Sequence, residues 1–172
     1  MREGQRRSGD GKTREAGGET ELPFPLPADS TLAAWKAWIS AFGHKTALHP
    51  HGVELVSVDD TELTLAMEIG DHARQPYGLL HGGISMMLAE SAASLHACWK
   101  LDLTQAVPVG IEINGSHLES KRSGRVLAQA RQLRRSRTLA HHEITITDAD
   151  TGRTLSIVRM TNFYRPTRPG RA

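Results

Sequence analysis

Residues 78–90 read GLLHGGISMMLAE, and the chain runs on as SAASLHACWK to residue 100. Between His81 and Trp99 a single side chain is formally charged, Glu90, and its neighbours are Met, Ala, Leu and Ser. An isolated carboxylate is costly to bury. Its place in this run means either an exposed position on a helix or a carboxylate put to chemical use. The residues upstream favour chemical use. HGG at 81–83 opens a helical pattern although glycine is a poor helix former. Glycine allows close approach to the backbone, and the first turn of a helix has N–H groups without intrahelical partners. Such donors can hold an oxyanion. A carboxylate with an oxyanion donor suits acyl transfer.

The spacing adds a constraint. Gly82 and Glu90 lie about 12 Å apart along a helix axis at 1.5 Å per residue. Each must come within roughly 3 Å of the same carbonyl group to act on it. One helix does not supply both contacts, so the spacing predicts a site shared between subunits, with Glu90 from one and Gly82 from the other.

The helix that carries these residues spans about 82–100. It is apolar most of the way round. Ile84, Met87, Leu88, Ala92, Leu95 and Trp99 share one face, the one expected to pack on a sheet. Met86, Ala93 and Ala97 lie roughly opposite, and Glu90 and Ser94, i,i+4 neighbours, lie on this second side. A second apolar side calls for a curled sheet or another subunit.

The other elements follow from period and punctuation. DSTLAAWKAWISAFG (29–43) reads as a helix, with start residues at 29–31, Leu32, Trp35, Ile39 and Phe42 at helical spacing, and Gly43 at its end. Strands are predicted at 52–58 and 61–69, turning at Asp59-Asp60, with Leu63, Leu65, Met67 and Ile69 alternating with shorter or charged residues. Four more strands are predicted at 106–119, 124–135, 138–148 and 153–164, with DADTG (148–152) as a hairpin turn. A helix, two strands, a long helix and four consecutive strands imply a mostly antiparallel sheet in an α+β fold.

Composition sets the outer limits. The chain has 172 residues, 38% of them hydrophobic, and a net charge of +2. That fits one domain with a modest core and excludes a polycation. The expected division is 1–27 as disordered tail and linker, 28–168 as the domain, and 169–172 as a tail. Residues 1–21 are rich in Gly and balanced charge and poor in large apolar residues, a composition that does not offset ordering entropy and does not favour nucleic acid. From Lys121 onward there are twelve Lys and Arg against Glu143, Asp148 and Asp150, a basic half suited to an anionic partner or simply to solvent. Cys98 is the one cysteine, so no intrachain disulfide forms, and a cytoplasmic location is expected. No apolar run approaches the roughly 20 residues that span a membrane. His49 with His51, and His141 with His142, lack the partners of a zinc site, so no metal and no cofactor is expected. Cys98 lies on the predicted sheet-facing stripe and is expected to be inert. No GxSxG is present.

The run QPYGLLHGGISMMLAESAAS (75–94), followed by VGIEINGSH (109–117), resembles the hotdog-fold thioesterases over about residues 45–165. Within these it resembles the phenylacetate-degradation type and its relatives, among them the 1,4-dihydroxy-2-naphthoyl-CoA and the 4-hydroxybenzoyl-CoA thioesterases with a catalytic glutamate. The resemblance implies a long central helix wrapped by a curved antiparallel sheet. It also implies a dimer or tetramer, with its active site at the subunit interface, and an acyl-CoA substrate. By position it assigns Glu90 as nucleophile or general base and the Gly82 N–H as the oxyanion donor. Gln75 would position the thioester or the water, His81 would lie near the sulfur, and Ser94 would hold the water or the carboxylate. It places Arg134, Arg135, Ser136 and Arg137 near the nucleotide, with His117 close to the ligand. The expected activity is hydrolysis of an aryl or related acyl-CoA. The alternatives are a non-catalytic acyl-CoA-binding module and a proofreading thioesterase for carrier-bound aryl groups.

Overall fold

The computed structural model describes residues 26–27 and 29–167. Thr31 starts the first helix, its Oγ1 accepting from the Ala34 N–H at 3.2 Å, and α1 runs Leu32–Phe42. Trp35 and Ile39 on its inner face are buried, as their spacing predicted. The strands that follow are β1 Glu54–Val58 and β2 Glu62–Glu68. Asp59 makes their turn: its Oδ1 accepts from the N–H and hydroxyl of Thr61, both at 2.7 Å, and from the Glu62 N–H at 3.0 Å. The long helix α2 spans Gly82–Cys98, and β3 Ala106–His117, β4 Arg125–Arg135, β5 Leu139–Asp148 and β6 Thr154–Pro166 complete the fold. The expectations for residues 1–21 and 169–172 fall outside the described residues.

Every strand pairing is antiparallel, in the order β1-β2-β4-β5-β6-β3. This is the α+β architecture of a hotdog fold, one helix against a six-stranded sheet. The strand β5 shows how the sequence specifies it. Ala140, His142, Ile144, Ile146 and Asp148 are buried and the residues between them are not, a clean period of two. In register with that row, Leu63, Leu65 and Met67 of β2 lie opposite Ala130, Ala128 and Val126 of β4.

The face of α2 that meets the sheet keeps Leu88, Ala92 and, just past the helix, Trp99 of the predicted stripe but is otherwise shifted from it. Ser85, Leu88, Ala89, Ala92, Ala93, His96 and Ala97 are buried, whereas Ile84, Met87 and Leu95 of the predicted stripe are only half-buried. The helix is turned so that its small residues face the sheet. Size decided this: a helix lodged inside a curved sheet packs against β2 through β6, and short side chains allow that approach. At the far end, Arg135 closes the helix by donating to the carbonyls of Trp99 (3.1 Å) and Ala97 (3.3 Å). Its guanidinium stacks 5.2 Å from the Tyr164 ring centre, and the Tyr164 hydroxyl donates to the Ala97 carbonyl at 3.2 Å.

Buried within this packing is a histidine pair that the sequence did not announce. His96 Nδ1 lies 2.8 Å from His142 Nε2, and His96 Nε2 lies 3.1 Å from the Asp59 carbonyl. A carbonyl only accepts, so His96 carries its proton on Nε2. Neutral His96 then accepts at Nδ1 from His142 Nε2–H, and His142 Nδ1 is left buried without a partner. Desolvation by burial, reinforced by His96 and Arg135, pushes His142 from 6.5 down to about 3, and burial lowers His96 as well. Between those values the unfolded chain binds the proton that the folded chain refuses. Stability is therefore full above about pH 6.5 and falls as the pH drops toward 3. Urea unfolding midpoints measured from pH 7 to pH 4 should decline for the native chain and decline less steeply for His142→Leu.

Candidate active site

The predicted residues gather at two places along α2. At the helix start, His81 is the N-cap in extended backbone, and its Nδ1 accepts from the Gly83 N–H at 2.9 Å. That bond leaves the proton of neutral His81 on Nε2, available as a donor. Among the described residues no acceptor takes the Gly82 N–H. The ring of His117, at the end of β3, lies directly over Gly82. A methyl group on Gly82 would stand 2.6 Å from His117 Nε2. His117 Nδ1 is in turn held 2.9 Å from the Ser156 hydroxyl.

The segment that delivers His81 is fixed by backbone bonds. The His81 N–H donates to Ala73, Leu80 to Lys121, and Gln75 to Leu79, each at 2.8 Å. Gly78 makes the turn at φ 76°, and Arg122 donates to the Tyr77 carbonyl at 2.9 Å. The Lys121 ammonium is pinned 2.6 Å from Asp148, whose carboxyl it holds down to about 2, tying this connection to the β5–β6 hairpin. Gln75 stands at the base of this turn, paired through its backbone with Leu79, and is half-buried.

Two turns further along the helix lies Glu90. It is exposed in the single chain. The reason is its position at the uncovered margin of the sheet. Its Oε1 lies 3.2 Å from where a methyl group on Gly110 of β3 would stand, and β3 is the last strand of the sheet. There β3 carries a bulge: Gly110 faces Asn162 and Glu112 faces Thr161, so Ile111 is the extra residue and is 58% exposed. Ser94 is half-buried, one turn beyond Glu90, and accepts from Asn162 Nδ2 at 3.2 Å. Glu90, Ser94, Gly110 and Asn162 thus form a second cluster, apart from that at Gly82.

The basic hairpin divides by role. Arg135 is committed to the end of α2, and Ser136 Oγ caps its own turn, accepting from the Leu139 N–H at 3.0 Å. Arg134 and Arg137 are exposed. Burial lifts the Cys98 thiol to about 12, which disfavours the thiolate that a nucleophilic cysteine needs. Among the described residues no helix is long and apolar enough to cross a membrane.

The thioesterase superfamily model matches residues 77–155, which include the Gly82 turn, Glu90 and the bulged part of β3. A 1,4-dihydroxy-2-naphthoyl-CoA hydrolase of Listeria monocytogenes is 40% identical over 110 residues, 64% of this chain and 88% of that protein. The chain belongs to the thioesterase superfamily. A proofreading thioesterase of Klebsiella pneumoniae is 32% identical over 120 residues, 67% of this chain and 87% of that one. Among solved structures, a mutant thioesterase of Pseudomonas aeruginosa superposes with a TM-score of 0.74 at 32% identity, covering 83% of this chain and 99% of that one. This thioesterase is a thioester hydrolase of hotdog fold.

Sequence reasoning missed Asn162, Gly110 and Ser156. A signal for Asn162 was present. It shares the even-numbered row of β6 with Val158, Met160 and Tyr164, the side that buries, and is the one amide in it. Gly110 had no such mark, because its role depends on Glu90 and Met160 arriving from other elements.

The contact over Gly82 is open to direct test. Gly82→Ala should lower stability by about 1–3 kcal/mol through overpacking against His117. Pairing it with His117→Ala, which empties the space, should recover much of the loss in chemical denaturation. A single variant as stable as the native chain would contradict this packing.

Proposed function

We propose that this thioesterase hydrolyses an acyl-CoA, with an aryl group the preferred acyl part, to the free acid and CoA. One observation carries the reading: a Gly82 N–H without a partner among the described residues, flanked by His81 and His117, and an exposed carboxylate at Glu90 that opens toward the uncovered edge of β3. The Gly82 N–H polarises the thioester oxygen. Glu90 attacks the carbonyl carbon, or takes a proton from the water that attacks it. Either route adds one water, breaks the carbon–sulfur bond and sends the CoA thiolate off to be protonated. The His81 Nε2–H and Gln75 orient the reacting group. Arg134 and Arg137 offer charge to the CoA phosphates, and His117 stands beside the acyl entry. The aryl preference is supported by the naphthoyl-CoA hydrolase among the relatives.

The two clusters act together when a second copy pairs with β3. That edge is twelve residues long and mostly exposed, with Val109 at 37% and Ile111 at 58%, an open invitation to another strand. An antiparallel copy sets the Gly110 end of one β3 toward the His117 end of the other. Glu90 of one subunit then approaches Gly82 of its partner, and the homodimer can pair further into a tetramer.

Thiol release from benzoyl, 4-hydroxybenzoyl, phenylacetyl, 1,4-dihydroxynaphthoyl, hexanoyl and palmitoyl-CoA tests the activity. Glu90→Gln should lower kcat on the best substrate by about 10²–10⁴-fold. Full activity in that variant would sink the assignment. Tight binding of these esters without turnover by the native chain would point instead to a carrier-bound substrate or a binding module. For the shared site, Glu90→Gln chains and Gly82→Pro chains, the second lacking the donor N–H, should regain about a quarter of native activity when mixed as refolded subunits, because random pairing completes one site in four. No recovery would place both groups in one subunit.

A further inference from the structure

Asn162 on β6 is 0% exposed, and an amide is a costly group to bury. Its neighbours in register are Ala140 of β5 and Gly110 of β3, neither with a polar side chain to offer. The amide makes one contact, Nδ2 to Ser94 Oγ at 3.2 Å, and Oδ1 is buried without a partner. An apolar residue of the same shape would leave nothing unpaired here. Fold stability therefore does not account for this asparagine.

Its effect on Ser94 does. A serine inside a helix commonly turns its hydroxyl back to the carbonyl four residues earlier. Ser91 does so, donating to Met87 at 2.7 Å. Ser94 does not. Its oxygen is taken by Asn162, and the other neighbour of its hydroxyl is the Met160 sulfur at 4.0 Å, a weak acceptor. With one lone pair filled by the amide, the hydroxyl proton is free to be given away. Glu90 is one turn back on the same helix, within reach of Ser94 at i,i+4.

We infer that Asn162 is a positioning residue for hydrolysis: by donating to Ser94 Oγ it turns the Ser94 proton toward the Glu90 carboxylate or the water that Glu90 activates. This rests on the reading of Glu90 given above. Asn162 touches no substrate and acts through Ser94 alone.

The test is a set of kcat and KM values on one acyl-CoA for the native chain, Glu90→Gln, Ser94→Ala, Asn162→Leu, Asn162→Ala and the double variant Ser94→Ala/Asn162→Leu. Asn162→Leu keeps the shape and removes the unpaired amide, so its thermal midpoint should match or exceed the native one. Its kcat should fall about tenfold or more while KM stays within about twofold. The double variant should be no slower than the slower single variant, because the two residues form one unit. Asn162→Ala makes the same comparison should the leucine not fit. Unchanged kcat in a folded Asn162 variant, alongside an inactive Glu90→Gln, overturns the role of Asn162 and leaves Glu90 standing. Losses that multiply in the double variant overturn the dependence on Ser94. A native chain that turns over no acyl-CoA removes both readings together.

Discussion

The close seating of α2 in the curved sheet is the constraint on which the rest depends. Ala89, Ala92, Ala93 and Ala97 are all fully buried, and their lack of bulk allows strands to approach the helix from several sides. That seating brings His117 of β3 over Gly82, Gly110 of β3 under Glu90, and Asn162 of β6 to Ser94. Larger side chains at those alanines would lift the helix, and each of these contacts would open. The same approach shuts His96 and His142 away from water, which is why burial disfavours a second, charging proton on either ring.

Glycine does two jobs along this helix, and they differ in kind. At Gly82 the missing side chain leaves room for a histidine ring and exposes a backbone donor. At Gly110 it leaves room for a carboxylate and a methionine methyl. Neither residue is there for a left-handed backbone, unlike Gly78 and Gly152, which turn the chain at positive φ. The bulge beside Gly110 turns the margin of β3 where Glu90 sits, so strand irregularity and site coincide.

Much of the polar interior serves the helix ends and turns. Arg135 and Tyr164 satisfy the last carbonyls of α2, and Asp59 and Asp148 hold their turns through local bonds. This explains why a basic run such as RRSR divides in the folded chain. One arginine lies where the helix terminates and is consumed there, while Arg134 and Arg137 stay in solvent. Charge count alone carries no information about that division.

The sequence by itself determined the elements, their order and the class of chemistry. Strand alternation, turn residues and the HGG helix start are local properties, written in neighbouring residues and readable without a third dimension. It also carried the two-cluster geometry, since eight helical residues span a known length. Tertiary structure decided which face of α2 turns inward, because that choice weighs side-chain size against the curvature of a sheet formed by distant segments. It likewise decided the partners of His96, Ser94 and Gly110. His142, Asn162 and Glu90 reach them across 46 residues, 68 residues and the open edge of β3 respectively, and no local pattern encodes contacts made at such separations.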